Sequence, residues 1–79
     1  MKICVLKNGW VLVGLLEKNG DEFILSNGSV IRRWGTTEGI GQLAIEGPLP
    51  ETKLDPIPLC KFFKSEVIFL LDCNHSKWK

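Results

Sequence analysis

Residues 8–34, NGWVLVGLLEKNGDEFILSNGSVIRRW, contain three Asn-Gly pairs separated by short apolar segments. A tight two-residue hairpin turn needs positive φ at both central residues, and Asn followed by Gly adopts that geometry at low cost. The segments beside the pairs are rich in Val, Ile, Leu, Phe and Trp, a composition typical of β-strands. The spacing therefore predicts an antiparallel meander of four strands over residues 3–7, 10–17, 22–26 and 29–34.

The predicted second strand, 10–17, is apolar on both faces, because three of the four residues in each of its two alternating sets are large and hydrophobic. A sheet with one face in water should instead alternate polar with apolar residues. The second face must therefore be covered, by a closed barrel, by a helix or by another copy of the chain. Trp10 is expected in the core, and Gly14 predicts a bend or bulge within the strand.

The pattern changes to a helical one after Trp34. Ile40, Leu43 and Ala44 fall on one face at helical spacing. Thr37 is a suitable N-cap, and Gly47 followed by a proline is a suitable stop. The predicted fold class is mainly β with one short α-helix: a small antiparallel meander or barrel-like sheet, with the helix after the fourth strand.

The remainder of the chain adds strands and a tail to a single domain of residues 1–79. Residues 48–58 contain all four prolines and predict an extended surface connection. The apolar segments 59–63 and 66–73 predict strands. The polar tail that follows ends near Trp78, for which two possibilities stay open: a loose end, or a contact to a partner copy.

Composition excludes several classes of partner. Ten basic against nine acidic residues are interspersed, so the concentrated basic face needed to bind duplex nucleic acid is missing. No apolar segment approaches the length that crosses a membrane. Three cysteines, an odd number, predict reduced thiols in the cytoplasm rather than a disulfide framework. A core this small without disulfides predicts a homo-oligomer.

Catalytic chemistry is not expected. The chain has one histidine, His75, and no nucleophile motif accompanies it. Cys73 and His75 are spaced as a Cys-x-His pair, but a zinc site needs four ligands and the other cysteines supply no matching pair. We therefore expect no enzyme activity, no catalytic residue, no metal and no cofactor.

The candidate ligand-binding residues lie at the end of the predicted fourth strand and in the turn that leads to the helix: Arg32, Arg33, Trp34, Thr36 and Thr37. Arginine grips phosphate with two hydrogen bonds, tryptophan offers a face for base stacking, and a helix N-terminus attracts anions. Neighbouring residues of a strand project to opposite faces, so only one arginine should face a ligand. The alternative is structural: the arginines solvate an edge, Trp34 fills the end of a barrel and Thr37 caps the helix.

The same segment carries a family resemblance. The stretches 25–34, LSNGSVIRRW, and 43–47, LAIEG, resemble small phage and prophage proteins of the Thoeris anti-defence type over roughly residues 3–47. The resemblance implies a phage-encoded, homo-oligomeric sponge in the host cytoplasm, with Arg33 and Trp34 facing a nucleotide. Its ligand would be a cyclic oligonucleotide or a cyclic ADP-ribose derivative, held without cleavage. Two alternatives stay open: a small phage protein that inhibits a host protein by direct binding, and an accessory structural phage protein.

Overall fold

The computed structural model describes residues 1–78, which form six strands and one short α-helix. In chain order the elements are β1 (Lys2–Leu6), β2 (Val11–Asn19), β3 (Glu22–Arg33), α1 (Ile40–Glu46), β4 (Lys53–Pro56), β5 (Cys60–Phe63), a 3-10 turn (Lys64–Glu66) and β6 (Val67–Asp72). Within this part of the chain, no helix is long and apolar enough to cross a membrane.

The strands form one antiparallel sheet in the order β4-β3-β2-β1-β6, and β5 also pairs with β3. Strands β5 and β4 pair with the same edge of the long strand β3. Strand β5 lies along its first four residues and β4 along its last five. The predicted class, mainly antiparallel β with one short helix, is confirmed. Two details differ: the helix follows the third strand, and the sheet does not close into a barrel.

The difference in strand number comes from the third Asn-Gly pair. The first pair does form a turn between β1 and β2, and the hairpin at the second pair has Gly20, at φ 61°, as its first loop residue. At the third pair the chain does not turn, because Asn27 and Gly28 lie inside the continuous strand β3. Residues 22–26 and 29–34, predicted as two strands, are therefore one.

Asn27 and Gly28 form a β-bulge opposite a single residue of β2, Gly14. The register passes from Val13↔Ser29 to Leu15↔Ser26, so two residues of β3 face one of β2. Asn27 has φ 48°, which shows that the backbone geometry suited to a hairpin serves a bulge equally well. A Cβ on Gly14 would lie 2.9 Å from the Cα of Gly28, so only glycine permits this approach. The predicted irregularity at Gly14 is confirmed.

Both faces of β2 are covered within one chain as far as Gly14, whereas Leu15 is 45% exposed. On one face the buried residues of the sheet pack against α1 and Trp78 in the cluster Ile3, Val13, Ile31, Leu43, Ala44 and Trp78. On the other face the buried residues are Cys4, Leu6, Leu12 and Leu25, with partly buried side chains of β5 and β6 around them. The sheet curls to enclose this second cluster, because a 3-10 turn of only three residues leads from β5, beside β3, to β6, beside β1.

The helix lies where the sequence predicts it but begins differently. Its N-cap is Gly39, at φ 93°, and no side chain caps it. The Thr37 prediction is wrong because Gln42 reaches back from the first turn, and its Oε1 accepts hydrogen bonds from the amides of Thr37 (3.0 Å) and Glu38 (2.8 Å). The helix ends at Glu46, followed by Gly47 at φ 79°, as predicted.

The C-terminal tail, residues 73–78, packs on this helix. Trp78 is 6% exposed, and its Nε1 donates to the carbonyls of Leu43 (3.1 Å) and Ala44 (3.2 Å). The amide of Asn74 also donates to the Ala44 carbonyl, at 2.9 Å. The last carbonyls of a helix have no hydrogen-bond donor within the helix, and here the tail supplies donors to them. Trp78 is thus a core residue of its own chain, contrary to both possibilities raised from the sequence.

Two further expectations are corrected. Trp10, expected in the core, is 55% exposed because it precedes β2 at the end of the sheet. The proline-rich stretch 48–58 is not only a connection, since it contains β4. Proline is tolerated there because an edge strand leaves one row of backbone amides unpaired, and Pro56 is the last residue of the strand.

Candidate ligand site

Two regions of the structure could bind a small molecule. The first is the link from β3 to α1, which contains the five residues proposed from the sequence. The register passes from Ile31↔Leu54 to Arg33↔Lys53, so Arg32 is an extra residue on β3. This irregularity interrupts the alternation of a regular strand, and both arginines are exposed.

The two arginines differ in their charged neighbours. The Nε of Arg32 lies 2.9 Å from Oδ2 of Asp55, in an ion pair that is about half exposed to solvent. Arg33 lies directly opposite Lys53, and within residues 1–78 neither forms an ion pair. Like charges that face each other across two strands are unfavourable, so an anion placed between Arg33 and Lys53 would be stabilised.

The backbone on either side of Trp34 is fixed by the turn that precedes β4. The Oγ1 of Thr52 donates to the Trp34 carbonyl at 2.7 Å. Gly35 has φ 69°, and a Cβ there would lie 2.4 Å from the carbonyl carbon of Glu51. The indole of Trp34 is 40% exposed, so one part of the ring packs and another is open to solvent. These contacts within the chain hold the segment in place without a ligand.

The two threonines offer fewer accessible hydrogen-bond donors to a phosphate than the sequence suggests. The hydroxyl of Thr36 is buried and has no hydrogen-bond partner. Thr37 donates to Gln42 through its amide and, at 3.4 Å, through its hydroxyl. The donors of Thr37 are thus occupied by a side chain of the same protein, whereas the Thr36 hydroxyl is unpaired but buried. That all five residues bind a ligand stays a prediction, with Arg33 and Lys53 as its best-placed charges.

The second region is a groove of about 500 Å³ between the bulge of β3 and the C-terminal tail. Its walls come from both ends of the chain and from the sheet: Met1, Val13, Asn27, Ser29, Pro48, Leu54, Ser76, Lys77 and Trp78. A smaller depression of about 370 Å³ shares three of these residues and adds Leu15 and His75. None of the five residues predicted from the sequence lines either cavity.

The local folding of two glycine- and asparagine-containing segments builds this groove. The bulge carries Asn27 on the sheet side, with Ser29 two residues further along β3. On the other side the tail crosses the end of α1 at Gly47, where a Cβ would lie 2.8 Å from the Cβ of Lys77. Glycine at this position lets Lys77 approach, and Trp78 then anchors the tail.

Among the described residues, Lys77 is the one lysine or arginine that lines the groove, and no aspartate or glutamate lines the groove or the adjoining depression. Within the described residues, the side chains of Asn27, Ser29 and Lys77 make no hydrogen bond or ion pair with the protein. These donors and acceptors are available to a ligand. The basic tail is a weak sequence signal for Lys77, and no sequence signal identifies Asn27 as a binding residue.

The three cysteines are not joined by a disulfide bond. All are free thiols. Burial, and secondarily the proximity of Cys73, raises the pKa of Cys4 to about 11, and burial likewise raises the pKa of Cys73. Both thiols therefore stay protonated at neutral pH, the form that is a poor nucleophile and a poor metal ligand. No cluster of three or more potential metal ligands occurs in residues 1–78.

Comparisons with protein families and with curated proteins found no match. No protein-family model matches the chain, and no curated protein matches it significantly.

Proposed function

We propose that this protein is a non-catalytic sponge: it binds a nucleotide-derived immune signal, either a cyclic oligonucleotide or a cyclic ADP-ribose derivative, and withholds it without cleaving it. The sequence resemblance to anti-defence proteins supplies the biological role, that of a phage-encoded protein acting in the host cytoplasm. The observation that carries the proposal is the groove between the bulge of β3 and the tail.

The groove has the size and lining that a nucleotide requires. Small-molecule sites are clefts of roughly 300–1,000 Å³, mostly apolar and with a few polar groups that fix orientation. Here Val13 and Leu54 provide apolar wall for a base, and Asn27 and Ser29 provide hydrogen-bonding groups. Lys77 supplies a positive charge for a phosphate.

Calorimetric titration tests both parts of the proposal. The purified protein is titrated with cyclic dinucleotides, cyclic trinucleotides and cyclic ADP-ribose isomers, and the bound ligand is then released by heat and identified by mass spectrometry. A sponge binds one of these compounds and returns it with its mass unchanged. Recovery of a hydrolysed product would contradict the proposal, and so would the absence of binding to every compound.

A second candidate function, inhibition of a host protein by direct binding, is favoured by the open edge of the sheet. Strand β6 has a neighbour on one side only, and it carries Ile68 (58% exposed) and Phe69 (45% exposed). An exposed apolar edge strand can pair with a strand of another protein. If no nucleotide binds and a host protein co-purifies in a complex that Phe69→Lys abolishes, inhibition replaces sequestration.

The same edge supports the proposal that the protein is a homo-oligomer. Pairing of β6 with a second copy would cover Ile68 and Phe69 and satisfy the unpaired backbone groups of the edge. Light scattering should then give a multiple of the 8.9 kDa chain mass. A monomer at micromolar concentration would contradict self-association while leaving ligand binding open.

A further inference from the structure

The two walls of the groove differ in chemistry, and the difference indicates how a ligand would be oriented. The sheet wall carries an amide and a hydroxyl, from Asn27 and Ser29, and no charge. The tail wall carries Lys77. A ligand that matches both walls has an uncharged, hydrogen-bonding part and an anionic part a few ångströms away.

The backbone of Lys77 is fixed by its contacts, whereas its ammonium group is unpaired within the described residues. Its amide donates to the carbonyl of Asn74 at 3.0 Å, and its backbone packs against Gly47. The following residue, Trp78, is fixed by two hydrogen bonds from its indole to the last turn of α1. The side chain of Lys77 is exposed, and no ion pair within residues 1–78 uses its ammonium group. A fixed backbone with a free ammonium group is suited to receive an anion from the groove.

The position of Asn27 is a second, independent feature of the same groove. It is the only non-glycine residue of the described chain with positive φ, at 48°. Asparagine tolerates the left-handed region better than most residues, and glycine tolerates it better still. The bulge therefore does not require a side chain at this position, yet the chain presents an amide at the groove.

We infer that the groove is the nucleotide site, with Lys77 binding the phosphate of the ligand and Asn27 and Ser29 binding its uncharged nucleoside part. This inference rests on the proposed function and deepens it, because it moves the phosphate from the Arg33 segment to the tail. The ligand class follows: nucleoside phosphates bind, and the corresponding nucleosides bind more weakly.

Nuclear magnetic resonance titration tests the inference directly on this 79-residue chain. The probes are the four common ribonucleosides and their 5′-monophosphates, followed by the cyclic compounds of the calorimetric panel. The backbone amides of Asn27, Ser29 and Lys77 should shift on titration. Loss of a charge-assisted contact weakens binding by about 10- to 100-fold. Lys77→Met should therefore lower the affinity for the monophosphates by that factor and leave the affinity for the nucleosides unchanged.

Three further variants make the result specific. Lys18→Met removes the same charge from an exposed position of β2 that lines neither cavity, and it should leave affinity unchanged. Lys53→Met, which removes the charge opposite Arg33, tests the rival site. Asn27→Gly keeps the positive φ and removes the amide, and it should weaken nucleosides and monophosphates by the same factor. An intact pattern of unperturbed resonances verifies the fold of each variant.

Failure of the inference and failure of the proposed function give different results. If the shifts centre on residues 33–37 and Lys53→Met weakens binding, or if Lys77→Met binds the monophosphates as tightly as wild type, the inference is wrong and the function stands. If no nucleoside, monophosphate or cyclic compound shifts any resonance, the function and the inference both fall.

Discussion

The link between β3 and α1 and the C-terminal tail each contain a tryptophan beside basic residues, and the two regions play opposite roles. In the link, Trp34 follows two arginines and stays 40% exposed, while its backbone is held by Thr52. In the tail, Trp78 follows a lysine and is 6% exposed, with its indole bonded to the end of α1. The difference depends on which unpaired backbone groups lie within reach, because a buried indole N–H needs an acceptor.

The comparison also separates two ways of presenting a positive charge. Arg33, at the end of β3, lies opposite Lys53 of the edge strand β4, and both side chains are exposed to solvent. Lys77 lines a groove of about 500 Å³. A charge in a concave, partly apolar surrounding interacts more strongly with a ligand than one on an open surface, because water screens it less.

The largest expected effect is on stability, from Trp78→Ala. Truncating a buried tryptophan costs about 3–5 kcal/mol, whereas Trp34→Ala should cost about 1–2 kcal/mol because Trp34 is only partly buried, at 40% exposed. Urea denaturation followed by circular dichroism gives both values. If Trp78→Ala does not fold, Trp78→Phe provides the measurement: it keeps a buried aromatic ring but loses the indole hydrogen bonds and part of the buried apolar area. Equal losses at positions 34 and 78 would show that the tail is not part of the core.

The next effect concerns the glycine at which the tail crosses the helix. Gly47→Ala combines positive φ with a contact of 2.8 Å to Lys77, and we expect a loss of about 1–3 kcal/mol. The matched control is Gly41→Ala in the same helix, where a Cβ meets open space. That variant should gain up to about 1 kcal/mol, since alanine is the better helix former. Thermal melts of the two variants should therefore shift in opposite directions, and a shift in the same direction would contradict the account.

A smaller effect is expected at the bulge. Because Asn27 has φ 48°, Asn27→Ala should cost about 1 kcal/mol, the price of placing an ordinary side chain in the left-handed region. Asn27→Gly should be neutral or slightly stabilising. Chemical denaturation distinguishes the two. If the alanine variant is as stable as the glycine variant, the backbone at the bulge relaxes to a negative φ.

The smallest effect separates the two arginines. Arg32→Ala removes an exposed ion pair with Asp55 and should cost about 0–1 kcal/mol. Arg33→Ala removes a like-charge pair with Lys53 and should be neutral or stabilising by a few tenths of a kcal/mol. The difference should shrink in high salt, because the ions screen both interactions. An Arg33→Ala variant that is less stable than Arg32→Ala would reveal a structural contact for Arg33.

Local signals in the sequence predicted most elements of the fold. The strand at 66–73 corresponds to β6, the helix ends before Gly47, and the irregularity falls at Gly14. The prediction failed at Asn27, because a bulge and a hairpin turn use the same backbone geometry. Only the pairing of β3 with a distant Gly14 distinguishes them, and pairing is not a local property.

The candidate site was harder to predict for the same reason. Arg33 and Trp34 are adjacent in sequence, so local reasoning identifies them readily. The groove unites Asn27 with Lys77, fifty positions further along the chain, and depends on the tail packing against α1. Nothing in the polar sequence of the tail indicates that its tryptophan finds acceptors at Leu43 and Ala44.

The central claim is that the tail is an integral wall of the domain, and hydrogen exchange at the three indole groups tests it most directly. The chain has only three tryptophans, so each indole N–H can be assigned in one spectrum of the ¹⁵N-labelled protein. The Trp78 indole donates to two helix carbonyls and should exchange slowly after transfer to D₂O, while those of Trp10 and Trp34 exchange within the dead time. Three equally fast indole signals would contradict the account, because the tail would then be detached and the groove would lose one of its walls.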